Sequence, residues 1–268
     1  MRFIPAAAIL LMLAAPISLD WAATAGAAGR EAPPAEAPEE ADLGVVAVAR
    51  VNDDGTIALA DGRSLRLAEI DLLRGRVGRA ARAAVMELAA AGAFTLRGDG
   101  PVEDRYGRVD AQAYAADGRW VQGELVYRGL ARVATSADHC AMASQLLAIE
   151  RIARAHGAEL WDNPEYALRS PEQAATLTDT WQVVEGKVAK ARTTRSGLYL
   201  DFGADPAHDL AVRIPLSVAR NMEFDPTALA GHKIRVRGWI GKTIGPLITL
   251  DHPEQIEALG HPRRVAAQ

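Results

Sequence analysis

Short β-rich runs separated by tight turns constrain the fold of this chain more than any other feature of its sequence. Between residues 43 and 70 the tight turns are Asp53-Asp54-Gly55 and Asp61-Gly62. The runs that they separate are Val45–Val51, Thr56–Ala60 and Ser64–Ile70. An Asp-Gly pair between alternating apolar residues is a strong local signal for a β-hairpin. The sequence therefore predicts an antiparallel three-stranded unit here.

Helices and further strands follow this unit in an order that is typical of a small barrel. The apolar spacing predicts a helix over Gly78–Ala91, which ends at Gly92. Two strands and two helices are predicted next: Ala93–Arg97, Arg108–Ala115, Trp120–Leu130 and Ala141–His156. The order predicts a mainly β fold with α-helices (α+β), an OB-type five-stranded barrel with three helices packed on it.

The second half of the chain returns to a β pattern after a connector. Residues 164–180 form the connector, with a helical turn expected around Glu172. The strands predicted after it are Trp181–Ala191, Leu198–Phe202, Leu210–Ile214, Lys233–Ile240, Leu247–Leu250 and a last one within 252–257. This spacing predicts a second small β-barrel-like domain over residues 181–259, followed by a tail over 260–268. No sequence motif is seen to repeat between the two halves.

The N-terminus has the pattern of an export signal. A positively charged start is followed by an apolar run from Ile4 to Ile17 and then by small residues. This predicts a signal peptide over residues 1–28, with Ala23-Thr24-Ala25 and Gly26-Ala27-Ala28 as alternative cleavage sites. Residues 29–42 are rich in Pro, Glu and Ala and predict a solvated tether. The apolar run is too short to span a bilayer, so the mature chain is expected in the periplasm or outside the cell, with no membrane span.

Composition excludes several classes of protein. The chain has 268 residues, a net charge of −4 and a single cysteine, Cys140. One thiol excludes a disulfide framework and a multi-thiolate metal site, and the acidic balance excludes a histone-like protein that wraps polyanions. Residues 43–163 contain fifteen Arg and no Lys. Guanidinium groups are good bidentate partners for phosphate, but a high genomic GC content produces the same bias.

Five short motifs follow one another in a defined order along residues 43–163. They are Ser64-Leu65-Arg66-Leu67-Ala68-Glu69-Ile70-Asp71, Asp104-Arg105-Tyr106-Gly107-Arg108, Tyr114-Ala115-Ala116-Asp117-Gly118-Arg119-Trp120-Val121, Leu125-Val126-Tyr127-Arg128-Gly129-Leu130-Ala131, and the set Glu150, Ala153 and Leu160-Trp161. Together they resemble the thermonuclease (staphylococcal nuclease) family, over most of that family's length. The second half resembles, more weakly, the OB-like C-terminal extension of some exported members.

The resemblance implies Ca²⁺-dependent cleavage of DNA and RNA phosphodiesters on an OB-type barrel. In that chemistry two arginines neutralise the phosphate as charge builds up, carboxylates hold Ca²⁺, and a glutamate acts on the attacking water. By position, Arg66 and Arg108 match the two phosphate arginines. Asp71 matches one calcium carboxylate, and Tyr106 matches a tyrosine near the bound nucleotide.

Two positions depart from the family's pattern. Gly55 stands where a second aspartate ligates calcium, and Arg74 stands where the glutamate is expected, so no general base is found. Replacing carboxylates by a cation makes the free energy of Ca²⁺ binding less favourable, by on the order of several kcal/mol at an effective dielectric of ~20. Asp53, Asp54 or Glu69 are the acids that would substitute. The sequence therefore predicts no cofactor, and Ca²⁺ only if the nuclease site still functions.

The remaining arginines allow two interpretations. Arg74 and Arg76 belong to a run at the start of the first helix and are predicted to bind substrate, beside Arg66 and Arg108. The alternatives are a solvated basic face for the run, and pairing of Arg66 and Arg108 with Asp71 and Asp104. In the second half, Arg235 and Arg237 share one strand face, which would widen a nucleic-acid track, contact a protein partner or stabilise the module.

Three functions are consistent with these observations. The first is an exported thermonuclease-fold protein that binds nucleic acid or a phosphate ligand, with cleavage weak or lost. The second is an active, divergent Ca²⁺-dependent endonuclease or phosphodiesterase. The third is an envelope scaffold that binds protein through its barrels, with residues 181–259 as the contact.

Overall fold

The first half of the chain folds around an OB-like sheet. The computed structural model describes residues 41–98 and 100–260, so the predicted signal peptide and most of the predicted tether lie outside the described residues. The sheet strands are β1 (Ala41–Val46), β2 (Val48–Val51), β3 (Ile57–Leu59), β4 (Ser64–Leu67), β6 (Phe94–Gly98) and β7 (Val109–Tyr114), and a short β5 (Ile70–Asp71) follows β4. Their order in the sheet is β1-β6-β7-β4-β3-β2, antiparallel except for the parallel pair β4–β7.

The structure counts six strands in this sheet where the sequence predicts five. The predicted strand over Val45–Val51 is divided at Ala47 into β1 and β2, and each part pairs at a different edge, β1 with β6 and β2 with β3. Among the described residues no ladder joins β1 to β2, so strand pairing alone does not close the barrel. The bend at Ala47 connects the two edges through the chain itself.

Three helices cover this sheet, as predicted. They are α1 (Gly75–Ala89), α2 (Val121–Tyr127) and α3 (Ala143–Ala155), and β8 (Arg132–Val133) pairs with β5 below them. In α1 the buried apolar residues recur at helical spacing: Val77, Ala81, Ala84, Val85 and Leu88. All of them except Val77 pack with side chains of the sheet such as Phe94 and Leu96 into one core, and Val77 packs with Leu73 and Leu160 in a smaller cluster. The predicted mixed α+β class is confirmed.

The second half contains a seven-stranded sheet with its own core. After α4 (Pro171–Ala175), which is the helical turn expected around Glu172, its strands are β9 (Thr180–Lys187), β10 (Lys190–Thr194), β11 (Gly197–Asp201), β12 (Ala211–Ile214), β13 (Lys233–Lys242), β14 (Pro246–Thr249) and β15 (Ile256–Leu259). A short helix, α5 (Leu216–Ala219), follows β12. The long strand β13 pairs with β9, β14 and β15, and it is central to this sheet.

The two sheets have the same strand order, although the sequence shows no repeat. Six of the seven strands of the second sheet run in the order β9-β13-β14-β12-β11-β10, and each takes the place of its counterpart in β1-β6-β7-β4-β3-β2. The seventh, β15, also pairs with β13 and has no counterpart among the described strands of the first sheet. The single parallel pair recurs as well, as β12–β14. The second half is therefore OB-like in topology, and the bend between β9 and β10 corresponds to the bend at Ala47.

A buried ionic network joins the two halves, which belong to one compact unit. Arg237 of β13 is 1% exposed, and its guanidinium lies 3.0 Å from the carboxylate of Glu150 in α3, which is 0% exposed. The same guanidinium contacts Glu257 at 2.9 Å and donates to the carbonyl of Val133. The face that carries Arg235 and Arg237 is thus occupied within the chain, which disfavours its use as a nucleic-acid track.

Strand β1 begins at Ala41, so the last two residues of the predicted tether belong to this strand. Nothing tests the limits of the predicted domains, 43–163 and 181–259, which stay predictions. None of the described helices combines the length and the apolar character that a membrane-spanning helix requires.

Candidate functional site

Arg66 is held by a buried carboxylate on the neighbouring strand. The parallel register of β4 and β7 places Arg66 opposite Asp110, and its Nε donates to Oδ1 at 2.7 Å while Nη2 donates to Oδ2. The Arg66 side chain is 48% exposed, whereas that of Asp110 is 3% exposed. Hydrogen bonding to Asp110 raises the pKa of Arg66 against the effect of burial, and the charges of Asp104 and Asp71 add to this. Arg66 therefore stays charged and keeps Nη1 for an outside acceptor.

Arg108 has a similar partner in its own loop. Its Nε donates to Oδ2 of Asp104 at 2.7 Å, and Asp104 also accepts from the backbone amides of Arg108 and Tyr106. Burial raises the pKa of Asp104, but these hydrogen bonds outweigh it, and the pKa falls to about 2. The Tyr106 ring is 66% exposed and lies 5.0 Å from Arg108 and 4.8 Å from Arg105. Both predicted phosphate arginines are thus rigidly placed, and each already holds a carboxylate.

Asp71 is occupied by an arginine that sequence analysis did not single out. In the β5–β8 pair Asp71 lies opposite Arg132, which donates to Oδ2 of Asp71 through Nε at 3.1 Å and through Nη2 at 2.7 Å. The Arg132 guanidinium also lies 4.0 Å from the centroid of the Trp181 ring. The one carboxylate that matches a calcium ligand is therefore neutralised by Arg132 of the same chain. Arg132 in turn contacts Trp181, which belongs to the second half.

The two departures from the family's pattern lie beside this carboxylate. Gly55 has φ +86°, and a Cβ built there would lie 3.1 Å from Cβ of Leu72, the residue after Asp71. An aspartate at this position would meet both a strained backbone and a close neighbour. Arg74 lines the same cleft as Asp54 and Asp71. A cation therefore stands where the family's pattern expects the glutamate.

None of the three substitute acids completes a metal site. Asp53 is fully exposed and pairs with Arg82 at 3.1 Å. Asp54 accepts from the hydroxyl and the amide of Thr56, which lower its pKa, and Arg108 adds to the effect. Glu69 lies in a turn at φ +64° rather than on a strand, is 3% exposed, and accepts from the amide of Met142 at 2.8 Å. It points into the core, because the turn after β4 breaks the alternation that the sequence suggests.

The donor set does not fit Ca²⁺. A hard cation needs several oxygen ligands around one point. Among the residues that the structure describes, no three His, Cys, Asp or Glu side chains are grouped so that they could hold a metal ion. The Asp71 carboxylate is bound by Arg132, and Arg74 adds positive charge at the cleft. No step of a metal-assisted reaction can be derived from these residues.

The basic run is less concentrated than its sequence suggests. Arg76 pairs with Glu159 at 2.8 Å, and Arg82 pairs with Asp53. Arg74 and Arg79 are exposed, and within the described part of the chain no ion pair is recorded for either. Of the two predicted substrate contacts in this run, Arg74 lines the cleft and Arg76 does not.

A cleft of about 690 Å³ lies between the site and the second half. Its apolar and aromatic lining includes Leu73, Leu160, Trp161, Tyr166, Trp181 and Trp239. Its charged lining consists of Asp54, Asp71, Arg74, Arg132, Glu165 and Asp179. The sequence analysis names three of these charged residues, Asp54, Asp71 and Arg74. It predicts no residue of the second half at this site. The volume falls within the range of small-molecule sites, roughly 300–1,000 Å³.

Two partners of the site left only weak signals in the sequence. Asp110 lies in a strand that is apolar apart from Gln112 and the Tyr114 hydroxyl, which could have marked it as a buried acid that needs a cation. Arg132 follows the matched Gly129-Leu130-Ala131 segment, but its pairing with Asp71 depends on the β5–β8 register. Both pairs join residues far apart in sequence, so no local pattern could have identified the partner.

The topology and the paired arginines together define an OB-type domain of the nuclease-like class. The family model described as staphylococcal nuclease homologue matches residues 64–163. This part of the chain is therefore a staphylococcal-nuclease-like domain, as its motifs predicted. No curated protein matches the chain.

Proposed function

We propose that this chain is an exported protein that binds single-stranded nucleic acid or another phosphate-bearing ligand, and that its Ca²⁺-dependent cleavage is weak or lost. Binding is supported by the fold and by Arg66 and Arg108, whose charges interact with Asp71 and Asp54 of the cleft that Arg74 also lines. Tyr106 offers an exposed ring beside them. The proposal needs no cofactor.

One observation carries the loss of cleavage. Arg132 binds the carboxylate of Asp71, the single residue that matches a calcium ligand. Ca²⁺ would have to displace a two-donor contact and then find further oxygen ligands next to Arg74. Arginines would still neutralise the charge of a pentacovalent phosphate. Position 74, where the family's pattern expects the glutamate that activates water, carries an arginine, which is not a base.

The test compares cleavage with binding. We expect no turnover of single-stranded DNA or RNA that depends on Ca²⁺ and is abolished by EDTA. Oligonucleotide affinity, measured by fluorescence anisotropy over a range of salt, should fall steeply with salt. Arg108→Ala should weaken binding roughly tenfold at low salt, the equivalent of one charge-assisted hydrogen bond, and should reduce the salt slope by about 0.7.

Arg119→Ala is a matched control. Arg119 is 25% exposed and donates through Nε at 2.8 Å to Asp117, a turn aspartate, much as Arg108 does with Asp104. Its substitution should leave affinity and salt slope unchanged. EDTA-sensitive turnover that Arg108→Ala abolishes would overturn the loss of cleavage. Salt-independent or absent binding would instead favour the protein-binding scaffold.

Export is the remaining part of the proposal. Expression of the full sequence in a bacterial host and mass analysis of the product should give a chain shortened after Ala25 or Ala28 in the periplasm or medium. A full-length chain in the cytoplasm would contradict export.

A further inference from the structure

Two tryptophans lie side by side at the cleft. In the β9–β13 ladder Trp181 and Trp239 are direct cross-strand partners, so both side chains project from the same face of the sheet. Both residues line the cleft that also contains Asp71 and Arg74. The second half of the chain thus supplies an aromatic wall to a site whose other residues come from the nuclease-like half.

The exposure of this wall is unusual for aromatic side chains. Trp239 is 59% exposed, although Gly238 and Ile240 on either side of it are buried. Trp181 is only partly exposed, and the Arg132 guanidinium lies 4.0 Å from its ring centroid. A large ring held in water on a paired strand contributes little to the core and offers a rigid stacking surface.

The charges around the cleft decide which part of a ligand meets this wall. Asp179 lies two residues before Trp181, and Asp179 and Glu165 line the cleft with it. These carboxylates repel phosphate, but they accept hydrogen bonds from the N–H groups of nucleobases, including the ring N–H of thymine. Arg66 and Arg108 are not among the residues that line the cleft, but their charges interact with Asp71 and Asp54, which do line it. Uncharged aromatic groups are therefore favoured at the tryptophans and phosphates at the arginines.

We propose that Trp181 and Trp239 form a base-stacking wall, so that a single-stranded nucleic acid binds with a base in the cleft and its phosphates on Arg66 and Arg108. This rests on the proposed function and adds to it the orientation and the class of ligand. The wall recognises a π-face and not a sequence, so the site accepts any base that is not held in a duplex. Double-stranded DNA does not present a free base and binds more weakly.

The test uses two ligands that differ only in their bases. A short thymidine oligonucleotide is compared with an abasic oligonucleotide of the same length and phosphate charge. Trp239→Ala should weaken binding of the thymidine strand roughly tenfold and leave binding of the abasic strand unchanged. Trp239→Phe, which keeps a ring, should recover most of the loss. Stacking should quench the intrinsic tryptophan fluorescence of the unaltered chain with the thymidine strand and not with the abasic one.

Two substitutions separate this proposal from the one on which it rests. Ile244→Ala is the matched control, because Ile244 is 80% exposed between β13 and β14 and does not line the cleft, and it should change neither affinity. Arg108→Ala should weaken both strands equally. If Arg108→Ala has that effect but Trp239→Ala changes the affinities for the two strands equally, the base-stacking proposal is wrong and the proposed function stands. If neither strand binds, the proposed function fails. Quenching by spermidine in place of the thymidine strand would show a cation site and overturn the base-stacking wall.

Discussion

Replacing Arg237 with alanine should lower the free energy of unfolding by about 3–5 kcal/mol, because it leaves a buried acid without its main partner. Glu150 is fully buried and contacts Arg237 at 3.0 Å and Arg154 at 2.6 Å. Burial raises the pKa of Glu150, but the charges of Arg237 and Arg154 outweigh it, so the acid stays ionised. Urea unfolding followed by circular dichroism measures the loss.

A control and a rescue keep this prediction specific. Arg192→Ala removes a comparable two-donor contact, to Asp201, but the Arg192 side chain is 36% exposed, so the expected loss is below about 1 kcal/mol. The double substitution of Arg237 and Glu150 by methionine should regain part of the stability, since the buried carboxylate is then gone, while Arg154 loses its partner. An Arg237→Ala chain as stable as the unaltered one would mean that water reaches this network.

Replacing Arg66 with alanine should cost about 2–3 kcal/mol, although Arg66 itself is half exposed. The cost comes from Asp110, whose side chain is 3% exposed and loses both guanidinium hydrogen bonds. His139 lies 3.6 Å from this carboxylate and does not replace them. Urea unfolding at neutral pH gives the number.

A substitution of Asp110 tests whether the cost of Arg66→Ala comes from the buried carboxylate. Asp110→Asn in the Arg66→Ala background should recover more than half of the loss, because a neutral amide is less costly to bury than a carboxylate. The double variant is then the appropriate chain for binding assays at position 66, since a drop in affinity there is not caused by unfolding. If the double variant is less stable than Arg66→Ala alone, Asp110 is not the source of the cost.

Local signals predicted the fold well because they depend on neighbours in the sequence. Asp-Gly turns separate β2 from β3 and β3 from β4, and the helical apolar spacing marks α1, although its observed limits are Gly75–Ala89 rather than Gly78–Ala91. The strand over Ser64–Ile70 was wrong in its last part, since the chain turns at Glu69 and continues as β5. Alternation of polar and apolar residues does not show such a turn.

The site was predictable only where a motif fixed the position. Arg66, Arg108 and Asp71 could be placed by motif, but their partners could not, because Asp110 and Arg132 reach them through strand pairing. Glu150 is a second example, because it is a buried acid of α3 whose partner Arg237 is on β13. An acid on the inner face of a helix has no local sequence signature.

The shared strand order of the two sheets has a consequence for how the chain assembles. In each half the parallel pair joins segments that are distant in sequence: β5, α1 and β6 lie between β4 and β7, and α5 and β13 lie between β12 and β14. Such non-local pairing forms slowly, so unpaired strand edges of the first half persist during synthesis. Strand edges of matching geometry then emerge from the ribosome with the second half. Exchange of equivalent segments between halves, or between two copies, is the characteristic error for such a chain. We expect the different core residues of the two sheets, such as Phe94 in one and Ile234 in the other, to disfavour such an exchange.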